Sequence, residues 1–147
     1  MNTRSALFLV CILSNALSAQ ERGLSLSQYF SANQYGAHNQ NWAVAQDSSG
    51  VMFFGNTSGI LRYDGSEWQM FSTPKGGIVR SLSLGASHKM YAGAYAEFGY
   101  LKADEFGRLR WISLSDSLPK EGHDFSDVWR IHVTPRGVFF TSPQYIF

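Results

Sequence analysis

The sequence predicts an all-β protein made of repeated antiparallel sheets, and three observations carry this prediction. A pattern of short strands and turns recurs along the chain. Aromatic residues make up 15% of the 147 residues and charged residues only 16%, a composition that suits half-buried strands. Asp, Asn, Ser and Gly residues separate the apolar runs, and these residue types favour turns. The chain should therefore consist of short strands joined by tight turns.

The repeat has three units. The second unit aligns with the first at an offset of 38 residues, so that Tyr91 matches Phe53. The third aligns at an offset of 87 without a gap, so that Trp129 matches Trp42 and Phe140 matches Phe53. A strand-and-turn repeat of about 40–50 residues is typical of β-propeller blades. Because one blade cannot bury both of its faces alone, the units should belong to a larger ring.

The predicted fold is thus the N-terminal fragment of a β-propeller with about two and a half four-stranded antiparallel blades. The blade bounds are 38–74, 75–124 and 125–147, the last one incomplete. Asp64-Gly65 is a strong hairpin signal within the first blade. The expected strands are 42–45, 51–55, 60–63, 67–71, 78–84, 89–93, 98–101, 109–112, 127–133, 138–141 and a final run at 145–147.

The N-terminus predicts a secretory signal peptide over residues 1–19. Arg4 supplies the positive charge, and residues 6–13 form an apolar core that is too short to span a bilayer. Small residues at 16–19 offer a cleavage site. We expect an exported protein in which residues 20–37 form a leader segment before the first blade. The alternative is that the apolar core stays as a membrane anchor.

Composition and motifs predict no catalytic residues, no metal site and no cofactor. Cys11 is the single cysteine and lies inside the signal peptide, which excludes disulfides and thiolate zinc sites from the mature segment. The four histidines lack metal-ligand spacing, and no nucleophile elbow or phosphate loop occurs. The net charge of +1 gives no electrostatic footprint for nucleic acid. A glycosidase would need paired carboxylates, for which Glu97 with Asp127 is the available pair.

Candidate ligand-binding residues lie in the loops that follow the second strand of each blade. Tyr95 can stack on a ring, and the Glu97 carboxylate can accept hydroxyl donors. Asn56 and Gln144 occupy the corresponding loops of the other two blades. The alternative is that Tyr95 packs on a neighbouring blade while Glu97 is solvated. We expect the four tryptophans, Trp42, Trp68, Trp111 and Trp129, to be structural wedges between blades and not ligand platforms.

The motifs of the first blade resemble the two-component-regulator propeller repeat. The similarity rests on Trp42, the turn from Asp47 to Gly50, the run 53–55, and the close 63–68, and it extends over residues 28–147. The second blade departs by having Arg80 where the tryptophan is expected, and the third by having Ser142 where glycine is expected.

This resemblance implies a ligand-sensing segment on the periplasmic or cell-surface side of a bacterial membrane. Its ligand would be an unknown small molecule or glycan. Its other partners would be the remaining blades and an output domain such as a histidine kinase. Two alternatives remain open, namely a cell-surface or secretion-associated interaction scaffold and a propeller enzyme that acts on carbohydrate.

Overall fold

The computed structural model describes residues 27–147. The predicted signal peptide and the leader residues 20–26 lie outside the described residues. Within these residues there are one short α-helix, α1 (Ala32–Tyr35), three 3-10 helices (Ala86–His88, Ser115–Ser117 and Lys120–Gly122), and ten strands: β1 (Asn41–Gln46), β2 (Met52–Asn56), β3 (Gly59–Tyr63), β4 (Trp68–Phe71), β5 (Val79–Leu84), β6 (Met90–Ala94), β7 (Glu97–Ala103), β8 (Leu109–Ser113), β9 (Arg130–Thr134) and β10 (Gly137–Thr141).

The strands form three antiparallel sheets. The first sheet has the order β1-β2-β3-β4, the second has the order β5-β6-β7-β8, and the third is the hairpin β9-β10. The run at 145–147 pairs with β10, because Phe140 and Phe147 exchange backbone hydrogen bonds of 3.0 and 2.9 Å. The prediction of an all-β chain with four-stranded antiparallel sheets is confirmed. The described sheets do not close on one another.

Aspartates organise the turns, as the sequence predicts. The Asp47 carboxylate accepts hydrogen bonds from the backbone amides of Ser49 at 2.9 Å and Val51 at 3.0 Å. Asp64 and Asp104 accept equivalent bonds in their own turns. Each carboxylate thereby satisfies backbone donors that the tight turn leaves without a partner.

Two apolar layers hold the sheets together. Phe53, Ile60 and Met90 belong to the buried layer between the first and second sheets. Phe98 and Phe140 belong to the layer between the second and third sheets, and their rings stack with centroids 4.4 Å apart. The first strands of successive sheets pack on each other, β1 on β5 and β5 on β9. The sheets therefore lie in chain order, each presenting one face to the sheet before it.

The register confirms the offset of 38 between the first two sheets. Ala45 pairs with Phe53, and their counterparts Ser83 and Tyr91 pair in the same way. Gly55 and Gly93 also occupy matching positions on β2 and β6. The first two units of the repeat are thus equivalent in structure as well as in sequence.

The gapless alignment of the third unit is wrong in its second strand. Val44 pairs with Phe54 in the first sheet. Its counterpart Ile131 pairs with Phe140 in the third sheet, so Phe140 corresponds to Phe54 and Phe139 corresponds to Phe53. The cause is a shorter hairpin. Ten positions separate the paired residues Val44 and Phe54, whereas nine separate Ile131 and Phe140, so the third hairpin is shorter by one residue. A shift of one residue moves side chains to the opposite face, which is why Phe140 points back at the second sheet.

The described part of the leader segment, residues 27–37, packs on the face of the first sheet that points away from the second. We call this the outer face. Ser31 and Gln34 form a capping box at the start of α1, and Gly36 with φ 65° ends it. The Phe30 ring lies 5.1 Å from the Tyr63 ring, measured between centroids. The leader segment is therefore a cover over part of the outer face.

Candidate functional site

A group of exposed aromatic side chains surrounds an arginine at the first strands of the three sheets. The register of β1 shifts between Asn41 and Ala43, which makes Trp42 an extra residue in a β-bulge. The register of β5 shifts in the same way around Arg80. Trp129 occupies the corresponding position before β9 in the aligned sequence. Bulges re-aim a side chain away from the regular strand faces, so the three sheets present these residues side by side.

Arg80 lies between the two tryptophans. Its guanidinium carbon is 3.9 Å from the centroid of the Trp42 ring and 4.8 Å from that of the Trp129 ring. The two rings are edge-to-face with centroids 6.5 Å apart. These distances are those of cation–π interactions, each worth about 0.5–1 kcal/mol at exposed sites and more when desolvated. The arginine thus links all three sheets.

An acidic residue partly neutralises this arginine. Asp127 Oδ1 accepts a 3.0 Å hydrogen bond from Arg80 Nε, and the two side chains are only 18% and 13% exposed. Arg80 Nη1 is buried and has no hydrogen-bond partner among the described residues. The ion pair therefore uses the Nε edge of the guanidinium group and leaves the Nη1 donor without an acceptor.

Tyr95 lies beside the ion pair. An isolated β-bridge pairs Tyr95 with Asp127. The next residue, Ala96, has φ 51°, a left-handed conformation that costs a non-glycine residue on the order of 1–3 kcal/mol. Lys75 Nζ donates a 2.7 Å hydrogen bond to the Ala96 carbonyl, which helps to hold this turn. Backbone strain of this kind is often found where a loop presents a functional side chain.

We call Trp42, Arg80, Tyr95, Asp127 and Trp129 the arginine cluster. Tyr95 is 56% exposed, Trp129 is 48% exposed and Trp42 is 38% exposed. The expectation that Trp42 and Trp129 are buried wedges is therefore wrong in part, because they bridge sheets through Arg80 but keep much of their surface in solvent. The cluster can offer aromatic faces together with a guanidinium group and a carboxylate.

Trp68 and Trp111 differ from this pair because both lie partly buried on fourth strands. Trp111 packs against the layer between the first and second sheets. Trp68 packs against the rings of Tyr63 and Phe54. Their placement agrees with the structural role that the sequence predicts for them.

Asn56 is fully buried, and the chain itself satisfies its amide. Its Nδ2 donates to the His38 carbonyl at 2.6 Å and to Asn41 Oδ1 at 2.8 Å, and its Oδ1 accepts from the Ser58 amide at 2.9 Å. The side chain thereby ties the segment from His38 to the start of β1 to the hairpin between β2 and β3. Its ligand-binding role stays a prediction, and we leave Asn56 out of the site proposed below.

Glu97 is also buried, with only 1% of its surface exposed. Its Oε1 accepts a 3.0 Å hydrogen bond from Trp111 Nε1, and its Oε2 accepts one of 3.3 Å from the Lys75 amide. The alternative of a solvated carboxylate is thus wrong. Because Glu97 is buried and bonded within the second sheet, we leave it out of the proposed site as well, and its ligand-binding role stays a prediction.

Gln144 is exposed and bonds to a neighbour of the arginine cluster, but it makes no hydrogen bond to a cluster residue. Its Oε1 accepts hydrogen bonds of 3.3 Å from the amide and hydroxyl of Ser126, the residue before Asp127. Of the four predicted ligand residues, only Tyr95 joins the cluster. Sequence reasoning did not select Arg80, although an arginine at a position that holds tryptophan in the other two units was a visible signal.

Two further features complete the inventory of residues 27–147. Within this range no group of three or more His, Cys, Asp or Glu side chains is close enough together to hold a metal ion. No helix in the same range is both long and apolar enough to cross a membrane.

Comparison with known proteins finds no family model that matches this chain and no match among curated proteins. The resemblance to the two-component-regulator propeller repeat therefore stays a prediction from the sequence motifs.

Proposed function

We propose that the three sheets are consecutive blades of a β-propeller, and that this chain is the extracytoplasmic ligand-sensing segment of a bacterial signalling receptor. The matching registers of the first two sheets support the blade interpretation. So does the packing of each first strand on the next, because blades approach one another most closely around the axis of a ring. The remaining blades and an output domain would be its partners.

The arginine cluster is the observation that carries the sensing function. Three consecutive sheets contribute one residue each from the same strand position, and the result is an exposed aromatic surface around a guanidinium group. Aromatic faces bind sugar rings or planar molecules, and a few polar groups fix their orientation. We propose a small molecule or glycan as the ligand and no catalytic role for this segment.

A thermal-shift screen of small molecules and oligosaccharides tests the site. At least one compound that stabilises the protein should lose most of its effect in Trp129→Ala and in Tyr95→Ala. Phe106→Ala is the matched control, because Phe106 is 72% exposed but lies on the turn before β8. The proposed site is contradicted if every stabilising compound keeps its effect in both cluster substitutions, or if the effect is lost equally in the control.

Export is tested separately. Residues 1–26 fused to alkaline phosphatase, which is active only outside the cytoplasm, should give an active and shortened enzyme. An Arg replacing Leu9 should abolish the activity, because a charge in the apolar core prevents its recognition as a signal peptide. Full activity of that variant would show that these residues do not direct export.

A further inference from the structure

We propose that the cavity between the leader segment and the outer face of the first sheet binds a small planar aromatic molecule that carries a hydrogen-bond acceptor. This site is separate from the arginine cluster, and the inference does not depend on the receptor function. Three observations carry it: the lining of the cavity, an unpaired donor in its wall, and the cover that the leader segment makes.

The cavity has a volume of about 380 Å³ and an aromatic lining. That volume lies within the range of about 300–1,000 Å³ that small-molecule pockets occupy. Five rings contribute to the wall: Phe30 and Tyr35 from the leader segment, and Phe54, Tyr63 and Trp68 from the sheet. Rings in proteins favour offset-stacked and edge-to-face neighbours, so a flat aromatic molecule suits this lining.

The donor is the indole N–H of Trp68. Its Nε1 is buried and has no acceptor among the described residues. The equivalent tryptophan of the second sheet, Trp111, donates to Glu97 at 3.0 Å. The two tryptophans are equivalent because Trp68 pairs with Tyr63 as Trp111 pairs with Leu101.

The first sheet cannot supply the same acceptor. Gly59 stands where Glu97 stands in the second sheet, since each is the partner of the last residue of the preceding strand. A side chain at Gly59 would collide with the backbone oxygen of Phe71. An unsatisfied buried donor is destabilising. The Nε1 atom is itself shielded from solvent, so a bound molecule would supply the missing acceptor once the Trp68 ring turns toward the cavity.

The leader segment argues for a small molecule in preference to another sheet. Phe30 and Tyr35 already pack against Trp68, with ring centroids at 5.2 and 5.4 Å. A further sheet would have to displace both rings to lie on this half of the outer face. A molecule in the cavity would fit beside them.

Quinoline and naphthalene form the probe pair, because they have the same shape and only quinoline carries an acceptor nitrogen. The experiment records the four indole N–H resonances of the ¹⁵N-labelled chain at a concentration where it sediments as a monomer. Quinoline should move the Trp68 resonance downfield in a saturable manner, as expected for a new hydrogen bond. Naphthalene should give only a ring-current shift.

The affinity ratio of the two probes provides the second readout. The preference for quinoline should fall roughly three- to tenfold in Trp68→Phe, the factor that one neutral hydrogen bond supplies. Phe106→Ala is the control, because Phe106 lies outside both the cavity and the arginine cluster, and it should leave the ratio unchanged. If Trp68→Phe does not fold, single Trp→Phe changes at the other positions assign the Trp68 resonance by elimination.

Two results would overturn the proposal. One is an identical response of the Trp68 resonance to quinoline and naphthalene, which includes no response to either. The other is a Trp68 resonance that moves with protein concentration when no probe is present, which would show that a second copy of the chain covers the cavity.

Discussion

The first and third sheets place the same kinds of side chain at equivalent positions but in opposite surroundings. Phe53 and Ile60 of the first sheet are 4% and 0% exposed, because the second sheet covers them. Their counterparts in the third sheet, Phe139 and Ile146, are 40% and 71% exposed. The difference shows that a residue on this face of a sheet is buried by the next sheet along and not by its own.

The largest effect that tests this comparison is expected at the two phenylalanines. Phe53→Ala should lower the free energy of unfolding by about 3–5 kcal/mol, because it opens a cavity between two sheets. Phe139→Ala should change it by less than about 1 kcal/mol, since it removes a partly solvated ring. Urea unfolding followed by circular dichroism measures both. Equal losses would mean that Phe139 is covered in solution.

A smaller effect is expected at a glycine. An added Cβ at Gly55 would lie 2.8 Å from the backbone oxygen of Val79 on the second sheet. Gly55→Ala should therefore destabilise the protein by about 1–3 kcal/mol through overpacking. Thr141 is the counterpart of Gly55 in the third sheet, and no sheet within residues 27–147 packs on that face. Thr141→Ala should stay within about 0.5 kcal/mol of the wild type, and a large loss there would contradict the assigned equivalence.

The arginine cluster tests how much the contacts between sheets stabilise the protein, because it includes residues from all three sheets. Arg80→Lys keeps the charge but loses the planar group that stacks on Trp42 and Trp129. We expect a loss of about 1 kcal/mol in the same unfolding assay. In Trp42→Phe/Trp129→Phe, the same arginine change should cost less. An unchanged cost would show that the contacts to the tryptophans do not stabilise the protein.

The smallest expected effect is a loss of stability at acidic pH. Burial raises the pKa of Asp47, but hydrogen bonds from Ser49 and Val51 outweigh it and hold the pKa below its ordinary value. Backbone bonds from Glu67 and Ser66 lower the pKa of Asp64. Both carboxylates stabilise the fold above a pH of about 3.9, the unfolded value, and this contribution is lost as the pH falls through the lower folded values.

Hydrogen exchange between pH 5 and pH 3, corrected for its intrinsic pH dependence, measures this effect. Protection of the β1–β2 hairpin should decrease more than that of the β9–β10 hairpin, whose turn contains no aspartate. Asp47→Asn should remove the difference. Equal decreases in the wild type would show that the turn carboxylates do not determine the response to acid.

The sequence predicts the strands of this fold well, and the reason is local. Alternation and turn residues define a strand and its ends, so the expected 60–63 and 109–112 lie within β3 and β8. The register of β10 on β9 could not be predicted from the sequence. A hairpin that is shorter by one residue leaves the pattern of apolar and polar residues similar, but it exchanges the sheet faces on which Phe139 and Phe140 lie.

The site was less predictable, for a reason that is not local. Asn56 ends β2 and Glu97 begins β7, at turns where the sequence predicts exposed side chains, and only the approach of other segments buries them. Arg80 looked like a departure from the repeat. The role of Arg80 depends on its contacts with Trp42 and Trp129, which lie 38 and 49 positions away in the sequence. These three residues come together only when the three sheets pack.

The bulge in the first strand of a sheet has a consequence for how such a protein can diverge. An extra residue stands outside the alternation of the strand, so its side chain can change without turning any core residue toward solvent. The first two sheets carry one such position each, now filled by tryptophan and arginine. Substitutions at these bulge positions can alter the chemistry of the exposed surface one sheet at a time, while the packing of the core residues stays the same.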